Sequence, residues 1–591
     1  MRSTAKIVDR PAATGVAARV TGVRRWLPLV ADLAATRGRT VPQDALAGTI
    51  TAILLIPQAL AYALLAGLPA QVGLYASVVP PIVYAFLGTS RTLAVGPVAI
   101  AAVMVAAALG GYADDDPARY LSGALILSAS SGAILLAFAA MRLGWLTYFI
   151  SHPVLSGFTT GAAVTIIGTQ LAPLTGIAVP RDASFAQTLG HLVRSAADVH
   201  GVTAAFGAAT IVALLLARAP LAVALRRAGV APETTRIVGR TAPLVLVVTA
   251  TLISGVLDLD ERAGLSVVGA IPRGLPGLEV AFLQVDGWLA LLPAALMIAV
   301  IGYVESISVA KALAFRRRER IDPDRELFSL GATNVAGAFF GAMPVAGGFA
   351  RSVVNFEAGA RTQAAALVTA LWVGLAAMFF TGLLHDLPKA VLAGIIVVAV
   401  YQLVDLASVK RAWAYDRTDG TAQAATIAGV LLLGIEHGLL AGIALGTAFF
   451  LYKTSRPHIA VVGRVPGTEH YRNVLRKRVE TWPQLLLLRV DENLYFANAP
   501  RVETQLMDLV LDRPELRHVV LMLSGVGHID ASSLEMLESF AQSLEDKGIC
   551  LHLAEIKGPV MDRLEGTPFL EHLGPERVHL STDAAVKRLL G

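Results

Sequence analysis

The sequence predicts an α-helical polytopic membrane protein with a small cytoplasmic α/β domain at its C-terminal end. Composition is the first reason. Of 591 residues, 55% are hydrophobic and only 16% charged, and mean hydropathy is +0.63; soluble domains carry roughly 25% charged residues. The second is arrangement: apolar blocks almost free of charge lie at 45–65, 121–140, 202–217, 244–257, 288–301 and 426–451, and a span needs about 20 such residues. The third is one sharp change near Arg456, after which a basic stretch (Arg464, Arg472, Arg476, Lys477, Arg478) leads into soluble alternation.

These observations divide the chain into a cytoplasmic arm (1–43), a transmembrane domain (44–456), a linker (457–483) and the α/β domain (484–591). The first apolar block opens too late for a cleaved signal peptide. The single cysteine, Cys550, excludes an internal disulfide and is expected as a buried strand residue of a reduced domain. About 14 hydrophobic segments are expected, at 44–65, 72–87, 93–110, 120–141, 152–176, 201–217, 242–257, 287–311, 326–343, 349–360, 362–384, 388–403, 420–436 and 438–455.

Basic residues orient them. The arm holds Arg2, Lys6, Arg10, Arg19, Arg24, Arg25, Arg37 and Arg39 against Asp9 and Asp32. Further clusters follow span six (Arg218, Arg226, Arg227, Arg236, Arg240), span eight (Arg316, Arg317, Arg318, Arg320) and span twelve (Lys410, Arg411, Arg417). Loops on the other side carry Asp114, Asp115 and Asp116, and Asp258, Asp260, Glu261, Glu279 and Asp286. Alternating basic loops put both termini in the cytoplasm of an inner (plasma) membrane protein. The net charge of +5 therefore reports topology, and no nucleic-acid partner is expected.

Two stretches interrupt spans in matching places: 88–98, which ends Val95-Gly96-Pro97-Val98, and 341–352, which contains Gly347-Gly348-Phe349-Ala350-Arg351. Corresponding breaks in two halves mark an inverted-repeat transporter with its substrate at the midplane. Half-helices beginning near Pro97 and Phe349 would aim unpaired N–H groups and positive dipole ends at one cavity. Irregular backbone is tolerated in a bilayer only where it lines such a cavity. Arg351 adds a full charge and fork-shaped donors suited to an oxyanion. The alternative is that the glycines serve close packing and Arg351 snorkels.

Gln58 and Tyr62 lie one turn apart in span one, where Gln58 is either an uncharged donor or interhelical glue. Glu305 sits mid-span, with Ser306 and Ser308 nearby. An intramembrane carboxylate is a functional hypothesis by default: a proton carrier, or a static partner of Arg351. Lys311 is expected to snorkel, and Glu436 and His437 to be solvated at an outer turn.

The segments at 57–63, 73–77, 88–97 and 347–363 resemble the sulfate permease (SulP) anion transporters, and the likeness runs from about residue 40 to the C-terminus. It implies a seven-plus-seven inverted repeat of the uracil-transporter type, with core and gate domains, working as a dimer. The anion would lie between spans three and ten, lined by Gln58, Tyr62, Val98, Ala350 and Arg351. An acid at the Glu305 position implies proton- or sodium-coupled import. Serine is usual where this chain has Ala350, which removes a hydroxyl contact.

In the α/β domain, strand-like runs at 484–490, 517–523 and 549–554 alternate with helical patterns at 500–511 and 531–546. The 524–533 segment resembles the loop-to-helix motif of STAS domains. Asp530 would cap the helix, and Ser532 falls where the antagonist members are phosphorylated; Met522 and Ser533 depart from the family pattern.

The expected function is proton-coupled uptake of a small inorganic oxyanion, sulfate first, by alternating access. Bicarbonate, a C4-dicarboxylate, or exchange or channel activity are the alternatives. No nucleophile–base pair or metal-ligand cluster is found in the spans, so no enzyme, metal or cofactor is expected beyond a coupling H+ or Na+. Expected partners are the anion, lipids, a second copy and a regulatory protein at the STAS domain.

Overall fold

The computed structural model describes residues 27–113, 116–145, 151–179, 185–229, 232–511 and 513–591. Asp114, Asp115 and the arm before residue 27 lie outside them. The chain forms two compact units that divide between Ala444 and Leu445, inside the last long helix rather than at Arg456.

The first unit runs α1 (Pro28–Thr36), α2 (Val41–Leu65), α3 (Ala70–Tyr75), α4 (Val79–Leu87), β1 (Val95–Gly96), α5 (Ala99–Gly110), α6 (Pro117–Ala140), α7 (His152–Thr175), α8 (Phe185–Arg194), α9 (Gly201–Arg227), α10 (Pro232–Val256) and α11 (Leu259–Ala263). It continues through α12 (Trp288–Arg317), α13 (Pro323–Ala338), β2 (Ala346–Gly347), α14 (Phe349–Glu357), α15 (Ala364–Leu375), α16 (Lys389–Val400), α17 (Leu406–Tyr415), α18 (Arg417–Leu433) and α19 (Ile435–Thr454). Among the described residues, seven helical stretches are long and apolar enough to cross a membrane, and three shorter apolar helices accompany them. Amphipathic α8 and α17 carry too few apolar residues to register as hydrophobic blocks, and α1, apolar apart from Asp32 and Thr36, is too short at nine residues. The cluster after span six does not fall in a loop: α9 and α10 extend through Arg218, Arg226, Arg227, Arg236 and Arg240.

Local chemistry sets the helix starts. Asp116, Ser151 and Asp322 each precede a helix with proline in its first turn, and each side chain accepts a first-turn N–H. Small residues set the packing. A Cβ on Gly132 of α6 would lie 2.7 Å from the Gly331 carbonyl of α13, and one on Gly157 of α7 2.6 Å from the Gln423 carbonyl of α18. The first span, expected to open at Asp44, begins three residues earlier, at Val41; Asp44 falls inside it. It is fully buried in the first turn of α2 and accepts from the N–H groups of Arg361 (2.6 Å) and Thr362 (2.9 Å) and from Thr362 Oγ1 (2.7 Å). It clamps α2 to the turn before α15.

The second unit contains β3 (Ile459–Arg464), β4 (Tyr471–Asn473), β5 (Leu485–Val490), α20 (Ala499–Leu511), β6 (His518–Met522), α21 (Ala531–Glu545), β7 (Cys550–Ala554), α22 (Gly558–Leu564), α23 (Pro568–Leu573), β8 (Val578–His579) and α24 (Thr582–Leu590). Its sheet order is β4-β3-β5-β6-β7-β8, with β5 to β8 parallel and β3 antiparallel to both neighbours. The segment 457–483 is therefore not a linker, because β3 and β4 form one side of the sheet. Leu486, Leu488, Val519, Leu521, Leu551 and Leu553 face the core of α20 to α23, and Val520, Met522 and Ala554 face α24. Two covered faces explain why the strands read as continuous apolar runs. Cys550 opens β7 half-buried rather than buried.

Candidate functional site

β1 and β2 are two residues each and pair antiparallel, Val95 with Gly347 and Gly96 with Ala346. Each ends at an extended residue, Val98 or Gly348, and then becomes a helix, α5 of 12 residues or α14 of nine. At 1.5 Å per residue these reach only about 18 and 14 Å, roughly half of a 30 Å hydrocarbon core. Neither start has a side-chain cap, so first-turn N–H groups stay open at both. Pro97 stands one residue before the cap, so it shapes the entry rather than opening the helix.

Buried polar side chains hold the irregular backbone. Ser306 Oγ accepts from Gly347 N–H at 2.7 Å, and Ser352 Oγ accepts from Ala94 N–H at 2.9 Å. The Asn334 amide brackets Val345, accepting from its N–H (2.8 Å) and donating to its carbonyl (3.1 Å). Asn355 and Gln363 donate to the carbonyls of Thr92 and Leu93, each at 3.1 Å. Such internal service is what a bilayer demands of non-helical backbone.

Gln58, Tyr62, Val98, Glu305, Gly348, Phe349, Ala350 and Arg351 all line one cavity of about 50 Å³. Gly96 and Pro97 stand behind it: a Cβ on Gly96 would lie 3.4 Å from Arg351 Nη2, and the Pro97 carbonyl accepts from Arg351 Nη1 at 2.6 Å. Arg351 is only 2% exposed, and its Nε and Nη2 make no hydrogen bond; neither does Glu305 Oε2. A buried guanidinium with two idle donors is costly unless something occupies them. Beside two open helix starts, those donors suit an oxyanion.

Sequence reasoning missed the far wall, Ala399 and Val400 at the end of α16 and Leu403 in the turn after it, because apolar residues in an apolar span carry no distinguishing mark. It also missed the clamps Asn334, Ser352, Asn355 and Gln363, although their polarity within an apolar context was a usable signal. A larger cavity of about 340 Å³ shares Ile100, Glu305, Phe349 and Leu403 with the small one. Another, of about 440 Å³, lies further along α2, α5 and α16 in the opposite direction and shares no lining residue with it.

In the second unit Asp530 caps α21, accepting from Ser533 N–H at 2.9 Å and, through its other oxygen, from Phe496 N–H at 2.7 Å. Ser532 is exposed in the first turn. Lys311 and His437 lie within α12 and α19, so His437 is helical rather than in a turn, though exposed.

Broken helices meeting at a small central cavity, with larger cavities towards either end, are the architecture of a membrane transporter. Residues 42–426 match the sulfate permease family and residues 476–585 match the STAS domain. The chain belongs to the sulfate permease family: it is a multi-pass membrane anion transporter, not an enzyme. It is 34% identical over 553 residues to chloroplastic sulfate transporter 4.1 of Arabidopsis thaliana, covering 91% of this chain and 79% of that one. With a probable sulfate transporter of Mycobacterium tuberculosis it shares 32% over 567 residues, covering 95% and 98%. The fold matches the murine Solute Carrier 26 family member A9 anion transporter in its inward-facing state, with a TM-score of 0.86, 22% identity and 99% and 97% coverage. The transmembrane domain of a cyanobacterium bicarbonate transporter, BicA, matches with a TM-score of 0.58 and 25% identity over 68% of this chain and 97% of that one. The expected polytopic fold with a C-terminal STAS domain is the fold observed.

Proposed function

We propose that this protein takes up a small inorganic oxyanion, sulfate first, by proton-coupled alternating access. The observation that carries the reading is Arg351, buried between two uncapped half-helix starts with Nε and Nη2 unpartnered. The anion would take those donors and the open N–H groups, with Gln58 and Tyr62 forming the facing wall. Glu305 is the coupling residue. Protonated, it removes a negative charge from the cavity and admits the anion; deprotonated, it opposes the anion and favours release. Sulfate takes precedence because two relatives above 30% identity bear that name.

The remaining parts rest on related grounds. The antiparallel meeting of β1 with β2, each leading into a half-helix, supports an inverted repeat. The cavity shared on the Glu305 side and closed on the other supports an inward-facing arrangement, with the α12 end bearing Arg316 to Arg318 in the cytoplasm. A homodimer, both termini in the cytoplasm of a plasma membrane, and regulation through the STAS domain, at Ser532 or by a bound protein, complete the proposal on family resemblance.

The test is radiolabelled sulfate uptake into proteoliposomes under an inward pH gradient, an inward Na+ gradient, or neither, with competing anions. Saturable uptake driven by the pH gradient is expected; a gradient of Na+ alone driving it would reassign the coupling ion. Bicarbonate is the second reading, favoured by the matching bicarbonate transporter domain. Bicarbonate outcompeting every other anion would move the substrate to it.

A further inference from the structure

We infer that Glu326 and Asp44 are positioning residues of the anion site: two buried carboxylates that pin the turns bordering the half-helices α5 and α14, and through them aim the Arg351 donors. The inference rests on the binding role proposed for Arg351. Each carboxylate is 0% exposed and sits in the first turn of its helix, Glu326 on α13 and Asp44 on α2. Each holds the same set of donors, two consecutive backbone N–H groups and one threonine hydroxyl. Glu326 Oε1 accepts from Thr89 N–H at 2.8 Å, from Ser90 N–H at 3.2 Å and from Thr89 Oγ1, while Tyr84 Oη donates to Oε2 at 2.8 Å. Asp44 accepts likewise from Arg361 and Thr362 N–H and from the Thr362 hydroxyl. An ionised carboxylate only accepts, so donors converging in this way fit the charged form, whose hydrogen bonds are roughly twice as strong as neutral ones.

The two pins are joined. Gln363, beside Thr362, donates through Nε2 to the carbonyls of Ser90 and Leu93. A continuous belt therefore runs from α2 through Asp44, Thr362, Gln363, Ser90 and Glu326 to α13. From Gly88 to Ala94 the chain has neither helix nor strand, so side chains largely fix its course. Asn355 holds the Thr92 carbonyl and Ser352 the Ala94 N–H. Three residues on, the Pro97 carbonyl takes Nη1 of Arg351. Arg351, Ser352 and Asn355 belong to α14, and Gln363 caps α15 just after it. The stretch leading into one half-helix is thus held by the other, and the two carboxylates secure the turns that border both. The helices that bear them also carry other parts of the site: Asn334, which brackets Val345, on α13, and the wall residues Gln58 and Tyr62 on α2. Loosening either pin lets the Pro97 carbonyl shift against Arg351, and Nε and Nη2 turn with the guanidinium away from that wall.

Thr89→Val and Thr362→Val each withdraw one donor and keep the carboxylate, whereas Thr89→Ser and Thr362→Ser keep the hydroxyl. In the full-length protein in proteoliposomes, each valine variant should raise the KM for radiolabelled sulfate roughly fivefold or more with Vmax within about twofold, the mark of weakened binding at unchanged turnover. Serine should restore it. Glu326→Gln and Asp44→Asn, where they fold, should raise KM further. Hydrogen exchange of the ligand-free protein in nanodiscs gives a second reading. Thr89→Val should quicken exchange about threefold or more over 345–352, across the belt, and leave α9 at its wild-type rate. Thr362→Val should do the same over 89–97. A lowered melting temperature with KM unchanged makes the carboxylates structural supports and overturns the inference. Exchange across the belt at the wild-type rate, or serine failing to restore KM, overturns it equally. Wild-type protein without saturable sulfate uptake defeats the uptake reading alone, and the exchange pattern then decides the pins.

Discussion

Arg351, in the first turn of α14, donates through Nη1 to the carbonyl of Pro97, the residue leading into α5, at 2.6 Å. One guanidinium thus ties the two half-helix starts together while keeping Nε and Nη2 idle. The bond to Pro97 is structural, the idle donors carry the proposed binding role, and substitutions can separate the two.

Arg351→Gln keeps an amide that can reach Pro97 but loses the charge and the fork. Saturable sulfate uptake should fall at least tenfold, with the protein still monodisperse. Arg351→Lys should recover part of it, since a point charge returns without the planar pair of donors. Uptake kinetics in proteoliposomes decide this; an unchanged KM removes Arg351 from the site.

Glu305→Gln fixes the neutral form. Sulfate exchange at equal pH should persist, whereas stimulation by an inward pH gradient should vanish. A mutant still accelerated by the gradient places the coupling proton elsewhere.

Gly348→Ala probes the geometry. A Cβ there would lie 2.8 Å from Arg351 Nη2 and 3.0 Å from Nε, so the guanidinium must shift against its bond to Pro97. Anion affinity should drop about tenfold with little change in melting temperature. Ser306→Ala acts differently: it strands the Gly347 N–H, costing about 1–3 kcal/mol, and should lower melting temperature as well as transport. Thermal unfolding in detergent, with and without sulfate, separates the two.

The half-helix starts were legible because proline and glycine interrupt a helical pattern wherever they occur, and an arginine in an apolar context stands out. The pairing of β1 with β2 was not, since two-residue strands have no period and their partners lie some 250 residues apart. Asp44 read as a boundary because its partner, Thr362, is brought to it only by tertiary packing. β3 was hidden for a similar reason: Ile459 to Arg464 borders a basic stretch, and its place in the sheet depends on contacts with Leu487 and Leu488.

The sheet carries a row of imidazoles, His518 Nδ1 to His552 Nε2 and His552 Nδ1 to His579 Nε2, each at 3.2 Å. Burial first, then His518, His579, Arg577 and Arg588, push His552 down to about 4. A folded value below the ordinary 6.5 means stability is full above about pH 6.5 and is lost as pH falls towards 4. Hydrogen exchange of β7 in the full-length protein should therefore quicken between about pH 7 and about pH 5, and His552→Gln should blunt that response. Equal acid sensitivity in the mutant would assign it to other groups.

β3 lies between β4 and β5, although the STAS match begins only at residue 476. A fragment cut at that point keeps four parallel strands but uncovers the whole flank of β5, a row of Leu residues with vacant backbone donors and acceptors. Such a flank recruits other chains. Anyone preparing this domain alone for partner hunting should start upstream of Ile459, or risk mistaking self-association for recognition.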